Sequence, residues 1–421
     1  MRKSSTGSRF HRLVAVTVLI ALCALLLPAA VALGVSPEPA ASPDAAGGAS
    51  SPAADPSPPP TTITCALSQA SVVYGGAITV SGVVEPIAAG QTVAIAFDGV
   101  DKATALTDAT GAYSAGITPQ RSGDVSARVV ADGTLSEPRH VVVKPSVTIV
   151  RGTPVPFLSL GFVLKVEPSA YAGVVTAREV HRGKLVATVR GRCRDGRVVL
   201  KTPLRGIGRF DFTFALPAAS GLGARSIDKR VDAKWHGLSV GSSGPAVKGL
   251  LTALNRLKIH VPGIGTQFTS SCKDAVMAFQ KAYCLPRTYV VGYDDWRKLD
   301  GAVPIKPRHS GPTTHLEVDK GRQILMIVKS GKVYGLICVS TGATNNTPEG
   351  TFHIQQKHPY TTSGYGGILF RTMGFVGNFA IHGYVPVPPY PASHGCIREP
   401  MWAAAWVYDR SFVGERLYVY H

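Results

Sequence analysis

The spacing of apolar residues changes twice along this 421-residue chain, and each change marks a place where one kind of packing gives way to another. From Ile63 onward, runs such as Ala77-Ile78-Thr79-Val80 and Val93-Ala94-Ile95-Ala96-Phe97 alternate with a period of two, separated by turns bearing Gly, Asp or Pro. The rhythm repeats in residues 158–166, 184–189, 198–200 and 210–214. Half-buried strands follow from that alternation, so residues 63–147 and 148–233 are expected to form two β-sandwich modules. The period then becomes helical: Val247, Leu250, Leu251 and Leu254 fall on one face, Ala275, Val276, Phe279 and Tyr283 on another, and Trp296 with Leu299 closes a third short helix. A small three-helix domain is therefore predicted over residues 234–301. Beyond a linker at 302–312, candidate strands at 323–328 and 333–339 flank the turn Ser330-Gly331 and return the chain to β structure over 313–421. The expected architecture is multidomain and mainly β.

The first 62 residues do not belong to that pattern. Arg2, Lys3, Arg9, His11 and Arg12 precede an uncharged run at 13–33, which reads as an export segment, with Ala30-Val31-Ala32 as a small-x-small cleavage site. The run is also long enough to remain as a membrane anchor. Residues 34–62 are Pro, Ala, Ser, Asp and Gly with almost nothing large and apolar, so they cannot bury a core and read as a spacer. The protein is thus expected to be exported to the cell wall or beyond, touching a membrane only through its N-terminal segment. A net charge of +18 calls for an anionic partner, yet the basic residues are scattered and lack the aromatic-basic pattern of a nucleic-acid module, so nucleic acid is set aside. The two sandwiches read as immunoglobulin-like spacers, because neither carries a catalytic cluster.

Six cysteines lie beyond the export segment: Cys65, Cys193, Cys272, Cys284, Cys338 and Cys396. Export would permit disulfides. Cys272 and Cys284 flank a predicted helix, and twelve helical residues span about 18 Å, whereas disulfide-bonded Cα atoms lie within about 7 Å. That bond would need the helix to end early. Cys65 and Cys193 could pair only across the junction of the sandwiches, and Cys338 reads as an inert filler in a strand.

The stretch with chemistry is Ala380-Ile381-His382-Gly383, followed by Ser393-His394-Gly395-Cys396-Ile397-Arg398. A cysteine near neutral pH needs an imidazole or a positive dipole beside it to become a competent nucleophile. His382, at the end of the strand-like run Phe379-Ala380-Ile381, can project toward the thiol as general base, and the nitrogen facing away from sulfur would find an acceptor in the carbonyl of Gly383 or a neighbour. The N–H groups of His394, Gly395 and Cys396 could converge on one point as an oxyanion hole. Gly395 allows positive φ and the close approach of a substrate carbonyl. A thiol paired with an imidazolium would react well below its ordinary value of about 8.5. Zinc held by His382, His394 and Cys396 is the alternative, weakened because no Asp or Glu lies close in sequence to act as base to a bound water.

These residues resemble the L,D-transpeptidase (YkuD-like) family, whose motif is a His, an intervening stretch, then Ser/Thr-His-Gly-Cys-apolar-Asn/Arg. The resemblance extends to Ser340-Thr341-Gly342 and Thr347-Pro348-Glu349-Gly350-Thr351-Phe352. It implies Cys396 as nucleophile, His382 as base, the backbone around His394, Gly395 and Cys396 as oxyanion site, and Ser393, Arg398 and Gly383 as residues that shape the site or contact substrate, with no cofactor and no metal. The ten residues between His382 and Ser393 are fewer than is common in the family, and Arg398 replaces a more frequent Asn. The implied reaction cross-links peptidoglycan stem peptides through a thioester and is blocked by carbapenems; with water as acceptor the enzyme would be an L,D-carboxypeptidase. Residues 234–301 resemble the helical peptidoglycan-binding domain in Leu238, Gly244-Pro245-Ala246-Val247, Ala278-Phe279-Gln280-Lys281 and Trp296-Arg297-Lys298-Leu299. The resemblance implies wall binding, and removal of that domain is expected to weaken binding to the wall while leaving turnover of small soluble stems largely intact. A wall-binding structural protein without catalysis is the non-enzymatic alternative.

Overall fold

The structure is a computed structural model that describes residues 59–364 and 366–421; the predicted export segment and most of the spacer lie outside the described residues. Two β-sandwiches come first. In one, the strand Ile78–Glu85 pairs with Thr62–Ile63, Ala66–Leu67 and Ala112–Ile117, and faces a five-stranded sheet built from Ser71–Val73, Arg139–Lys144, Gly123–Val129, Thr92–Phe97 and Val100–Leu106. Val125, Ala127 and Val129 point inward from alternate positions, as period-two patterning requires. The second sandwich starts at the strand Ser146–Arg151, slightly before the boundary read from sequence. Its core is aromatic: Phe210, Phe212 and Phe214 line one face of Gly208–Leu216, and Phe162 meets Phe212 and Phe214 at 4.8 and 5.0 Å between ring centroids. The apolar cores of the two sandwiches join into one cluster.

Three helices follow: α1 (Pro245–Arg256), α2 (Ser270–Ala282) and α3 (Tyr293–Gly301). Pro245 occupies the first turn of α1, where its missing N–H costs nothing, and Thr269 caps α2 by accepting from the Cys272 N–H at 3.4 Å. Cys272 is buried in the first turn of α2 and Cys284 lies exposed beyond its end at φ 56°, so the helix runs to full length between them; all six described cysteines are free.

The C-terminal domain has two sheets. One is ordered Lys332–Cys338, Ile324–Lys329, His315–Asp319, Arg416–Tyr420, Gly350–His353, with the pair His315–Asp319 and Arg416–Tyr420 parallel. The other is ordered Gln356–Thr362, Ile368–Val376, Phe379–Tyr384, Ile397–Pro400, and the last pair is parallel. Helix α4 (Met401–Tyr408) covers the second sheet.

The helical domain is not a detachable appendage. In the strand Ile324–Lys329, Leu325 and Ile327 enter the C-terminal core while Ile324 and Met326 enter a single cluster with Leu250, Leu254, Val276 and Phe279 of the helices. Leu336 and Cys338 of the neighbouring strand join that cluster. On the other side, Asp300 of α3 is ion-paired to His181 and Arg182 of the second sandwich at 3.0 and 2.6 Å, and Phe157 lies 6.0 Å from Trp296 in stacked orientation. The segment read as a linker is strapped down as well: the N–H groups of Arg308 and His309 donate to the Glu317 carboxylate at 2.9 and 2.8 Å, and the His309 ring stacks 3.9 Å from Tyr418. Removing residues 235–301 would expose the face of the strands Ile324–Lys329 and Lys332–Cys338 that the helices cover, so the deletion would cost stability as well as any wall binding.

Leu254→Ala and Leu336→Ala, from opposite sides of that shared core, should each lower stability by about 2–5 kcal/mol. Urea unfolding followed separately through helix content and tryptophan fluorescence should show one transition for both; two resolved transitions would mean that the helices and the sheet fold independently.

Candidate active site

The parallel pair Phe379–Tyr384 and Ile397–Pro400 sets the site. Its register places Ile381 opposite Ile397 and His382 opposite Arg398. Side chains alternate along a strand, so Ile381 and Ile397 point into the core, and His382 and Arg398 share the other face with the position of Cys396, one step before its strand begins. His382 is a diagonal neighbour of Cys396 on that face.

The turn carrying the thiol is held by side chains from two loops. Successive carbonyls of His394, Gly395 and Cys396 accept from Asn346 Nδ2 at 2.8 Å, Thr347 Oγ1 at 2.6 Å and the Ser393 hydroxyl. Gly342 N–H donates to Thr347 Oγ1 at 2.8 Å, and Ala343 N–H to the carbonyl of Ser393 at 2.9 Å. The motif's Ser340-Thr341-Gly342 and Thr347 are therefore supports of the turn. Asn346 was not singled out from sequence; its position directly before Thr347-Pro348 was the only cue.

Three expectations change. The Gly395 N–H donates to Ser393 Oγ at 3.0 Å, so it is committed inside the turn and drops out of the expected set of oxyanion donors. Gly395 is still required: its φ is +138°, and a β-carbon there would stand 2.5 Å from the Phe379 ring, so the close approach is to that ring. Ser393 is buried and spends its hydroxyl on the turn, which leaves it a support for Cys396 instead of a substrate contact. Gly383 likewise is packed under α4, where a β-carbon would meet Ala404 at 2.9 Å, and it acts through its carbonyl. His394 is exposed and does not join His382 and Cys396 in any cluster of metal-ligating side chains among the described residues.

His382 is 3% exposed and its Nδ1 lies 3.1 Å from the Gly383 carbonyl. A carbonyl only accepts, so Nδ1 carries the proton and Nε2 is the basic nitrogen in the neutral ring. Burial pulls the imidazole below its ordinary value, opposed by the Gly383 bond and assisted by the Arg398 charge. Burial also pushes the Cys396 thiol up, against the Ala380 N–H and Arg398, which favour the thiolate. Its Sγ lies 3.7 Å from the carbonyl of Asn378. Both shifts favour the neutral pair, thiol and imidazole, over the thiolate and imidazolium expected from sequence. Arg398 sits with Cζ 4.4 Å above the Tyr384 ring, a cation held on the same sheet face.

On the opposite face of the same strand stands Glu399, only three residues after Cys396, so an acid does lie close in sequence, contrary to the expectation, but it faces away from the site; it is 0% exposed, and neither carboxyl oxygen has a hydrogen-bond partner among the described residues. Burial alone raises its pKa well above the ordinary carboxyl value. Cys338 shows the same effect on a thiol: covered by α2, it is pushed up to about 12 and is inert.

Comparison with known proteins places these features. The family model described as the L,D-transpeptidase catalytic domain, YkuD, matches residues 313–419. Among solved structures, the L,D-transpeptidase (residues 123–326) of Xylanimonas cellulosilytica DSM 15894 is 32% identical; the match covers 45% of this chain and 100% of that one, with a TM-score of 0.42. An L,D-transpeptidase from Stackebrandtia nassauensis is 21% identical over 44% of this chain and 95% of that one, at a TM-score of 0.30. The L,D-transpeptidase LdtMt1 in complex with imipenem is 13% identical over 65% of this chain and 97% of that one, at 0.24. No curated protein matches.

Two outcomes follow from these pKa directions. Alkylation of Cys396 by iodoacetamide should rise with pH through a midpoint at or above the ordinary thiol value of about 8.5; a midpoint well below it would restore the ion pair. Glu399 has a folded pKa above its unfolded one, so its contribution is fully present below about pH 4.3 and is lost as pH rises toward the folded value. Glu399→Gln should therefore raise the melting temperature at pH 8 and leave it nearly unchanged at pH 4; equal effects at both would show that the carboxyl is not a buried acid.

Proposed function

This chain belongs to the YkuD family of L,D-transpeptidases, and on that premise we propose that Cys396 is the nucleophile of a two-step acyl transfer between peptidoglycan stem peptides, with His382 as general base. The observation that carries the reading is the bond between His382 Nδ1 and Gly383 O, which leaves Nε2 basic on the sheet face that presents Cys396.

The first step joins Sγ to the carbonyl carbon of the third residue of a tetrapeptide stem. Because the resting pair is neutral, Nε2 takes the thiol proton as the S–C bond forms, and the substrate oxygen becomes an oxyanion beside the turn that carries Cys396. Collapse of this intermediate breaks the peptide C–N bond, and the imidazolium returns its proton to the departing D-Ala amine. A side-chain amine of a second stem then attacks the thioester carbonyl, loses a proton to Nε2, and releases the thiol with a 3→3 cross-link formed. Arg398, a fixed cation near both reacting groups, assists the negative charge that builds at sulfur and oxygen. No cofactor is needed by this scheme.

We place the reaction outside the cytoplasm, in the cell wall, with the helical domain binding the wall and the sandwiches carrying the active site outward. The basic predicted n-region and the net charge of +18 favour that location through attraction to an anionic wall, an attraction screened beyond about 8 Å at physiological ionic strength.

Purified protein incubated with tetrapeptide muropeptides should yield cross-linked dimers and free D-Ala by mass spectrometry, and imipenem should add its mass to the protein. Cys396→Ala should lose both, Cys338→Ala neither, and His382→Ala should slow acylation by about 10²–10⁴-fold. Tripeptide product without dimers would make the enzyme a carboxypeptidase; full activity in Cys396→Ala would remove the mechanism.

A further inference from the structure

The path from His382 to Cys396 runs through residues 385–392, of sequence Val-Pro-Val-Pro-Pro-Tyr-Pro-Ala. Pro386, Pro388, Pro389 and Pro391 have no N–H to donate, so half of this loop's residues can supply no internal backbone hydrogen bond. Its carbonyls need donors from elsewhere, and the structure supplies them almost without a break. Tyr289 Oη donates to Val387 O at 3.3 Å, Lys281 Nζ to Pro388 O at 3.3 Å, Arg287 Nη1 to Pro389 O at 2.6 Å, and Ser340 Oγ to Tyr390 O at 2.8 Å.

Three of those four donors come from the helical domain. Lys281 lies in the last turn of α2 and is 1% exposed; its ammonium also donates to Val339 O at 2.7 Å, the residue before the Ser340-Thr341-Gly342 support of the thiol turn. One buried cation thus binds both chain segments that converge on Cys396. Arg287 spreads further, with Nη2 3.3 Å from the carbonyls of Gly321 and Arg322. Among the described residues this lysine has no ion pair, Asp274 lying only close enough to favour its charge, and a cation buried where an aliphatic side chain would pack at lower cost calls for a reason. The loop carbonyls supply one.

We propose that Lys281, Arg287 and Tyr289 are positioning residues for acyl transfer, fixing the proline loop between base and nucleophile so that the helical domain forms part of the catalytic apparatus. The proposal rests on the reading of Cys396 and His382 given above. The short interval between His382 and Ser393 is then a taut span held by an external clamp. Misplacing reacting groups by about 1 Å can cost up to about 10²-fold in rate, so loss of the clamp should appear in acylation before it appears in stability.

The test uses the full chain. Arg287→Ala/Tyr289→Phe removes two peripheral donors and leaves the core lysine, while Lys281→Met replaces the buried amine with an apolar chain of similar length. Imipenem acylation, followed by mass spectrometry over time, should slow by about 10- to 100-fold in the double variant. Its melting temperature should change little, and its iodoacetamide alkylation at pH 10, where no base is needed, should match wild type. Arg287→Lys, able to reach Pro389 O alone, should recover part of the rate. Unchanged acylation in the double variant, or a loss that tracks the melting temperature and is not relieved by Arg287→Lys, would overturn the proposal. Wild-type protein that fails to acylate at all would instead overturn the reading of Cys396.

Discussion

Burial of the strand Ile324–Lys329 on both faces is the constraint from which the rest of the C-terminal half follows. A sheet in an antiparallel setting usually keeps one face for water; here Leu325 and Ile327 pack against the catalytic core and Ile324 and Met326 against helices. At about 25 cal/mol per Å² of apolar surface, a face shared between two domains is worth several kcal/mol to their union. That union fixes where α2 ends, and the end of α2 fixes Lys281 against Val339 and Pro388. Packing far from the thiol thereby determines the course of the chain next to it.

The site itself balances reactivity against desolvation. A buried imidazole and a half-buried thiol are each pushed toward the neutral form, and the dipoles and the single nearby cation oppose that push for sulfur without reversing it. Rigidity offsets the missing charge. Three consecutive carbonyls of the turn are bonded by Asn346, Thr347 and Ser393, which leaves the backbone little freedom and aims the sulfur with no cost in ordering at the moment of reaction.

Much of this was legible in the sequence, because period and motif are local. The 2-to-3.6 switch near Trp235 is a property of neighbours a few residues apart, and the placing of His382 and Cys396 on one sheet face needed only a strand and a turn close in the chain. What escaped is long-range. Nothing near Pro388 predicts a partner at Lys281, and the union of helices and sheet could be read only in retrospect from the unbroken apolar run Ile324-Leu325-Met326-Ile327-Val328, which has no polar face. The commitment of the Gly395 N–H to Ser393 was equally hidden, since a turn written Ser-His-Gly-Cys fits both an open nest of donors and one closed by its own hydroxyl. Glu399 was invisible for a different reason: an acid directly following a cation reads as a solvated pair, and alternation puts the two on opposite faces.

A neutral ground state also suits the compartment proposed for this enzyme. Oxidation, like acyl transfer, proceeds through the thiolate, so an exported cysteine kept ionised at rest would be consumed by the oxidants around it. Cys65, Cys193, Cys272 and Cys338 avoid that fate by burial; Cys396 cannot be closed off and still meet a substrate. In the mechanism proposed above, delaying ionisation until a carbonyl carbon is in place resolves the conflict, because proton transfer to His382 then occurs only when the resulting charge has somewhere to go. On the same proposed mechanism the base is the buried partner and the nucleophile the more exposed one: with His382 3% exposed, water is kept from competing for the Nε2 lone pair.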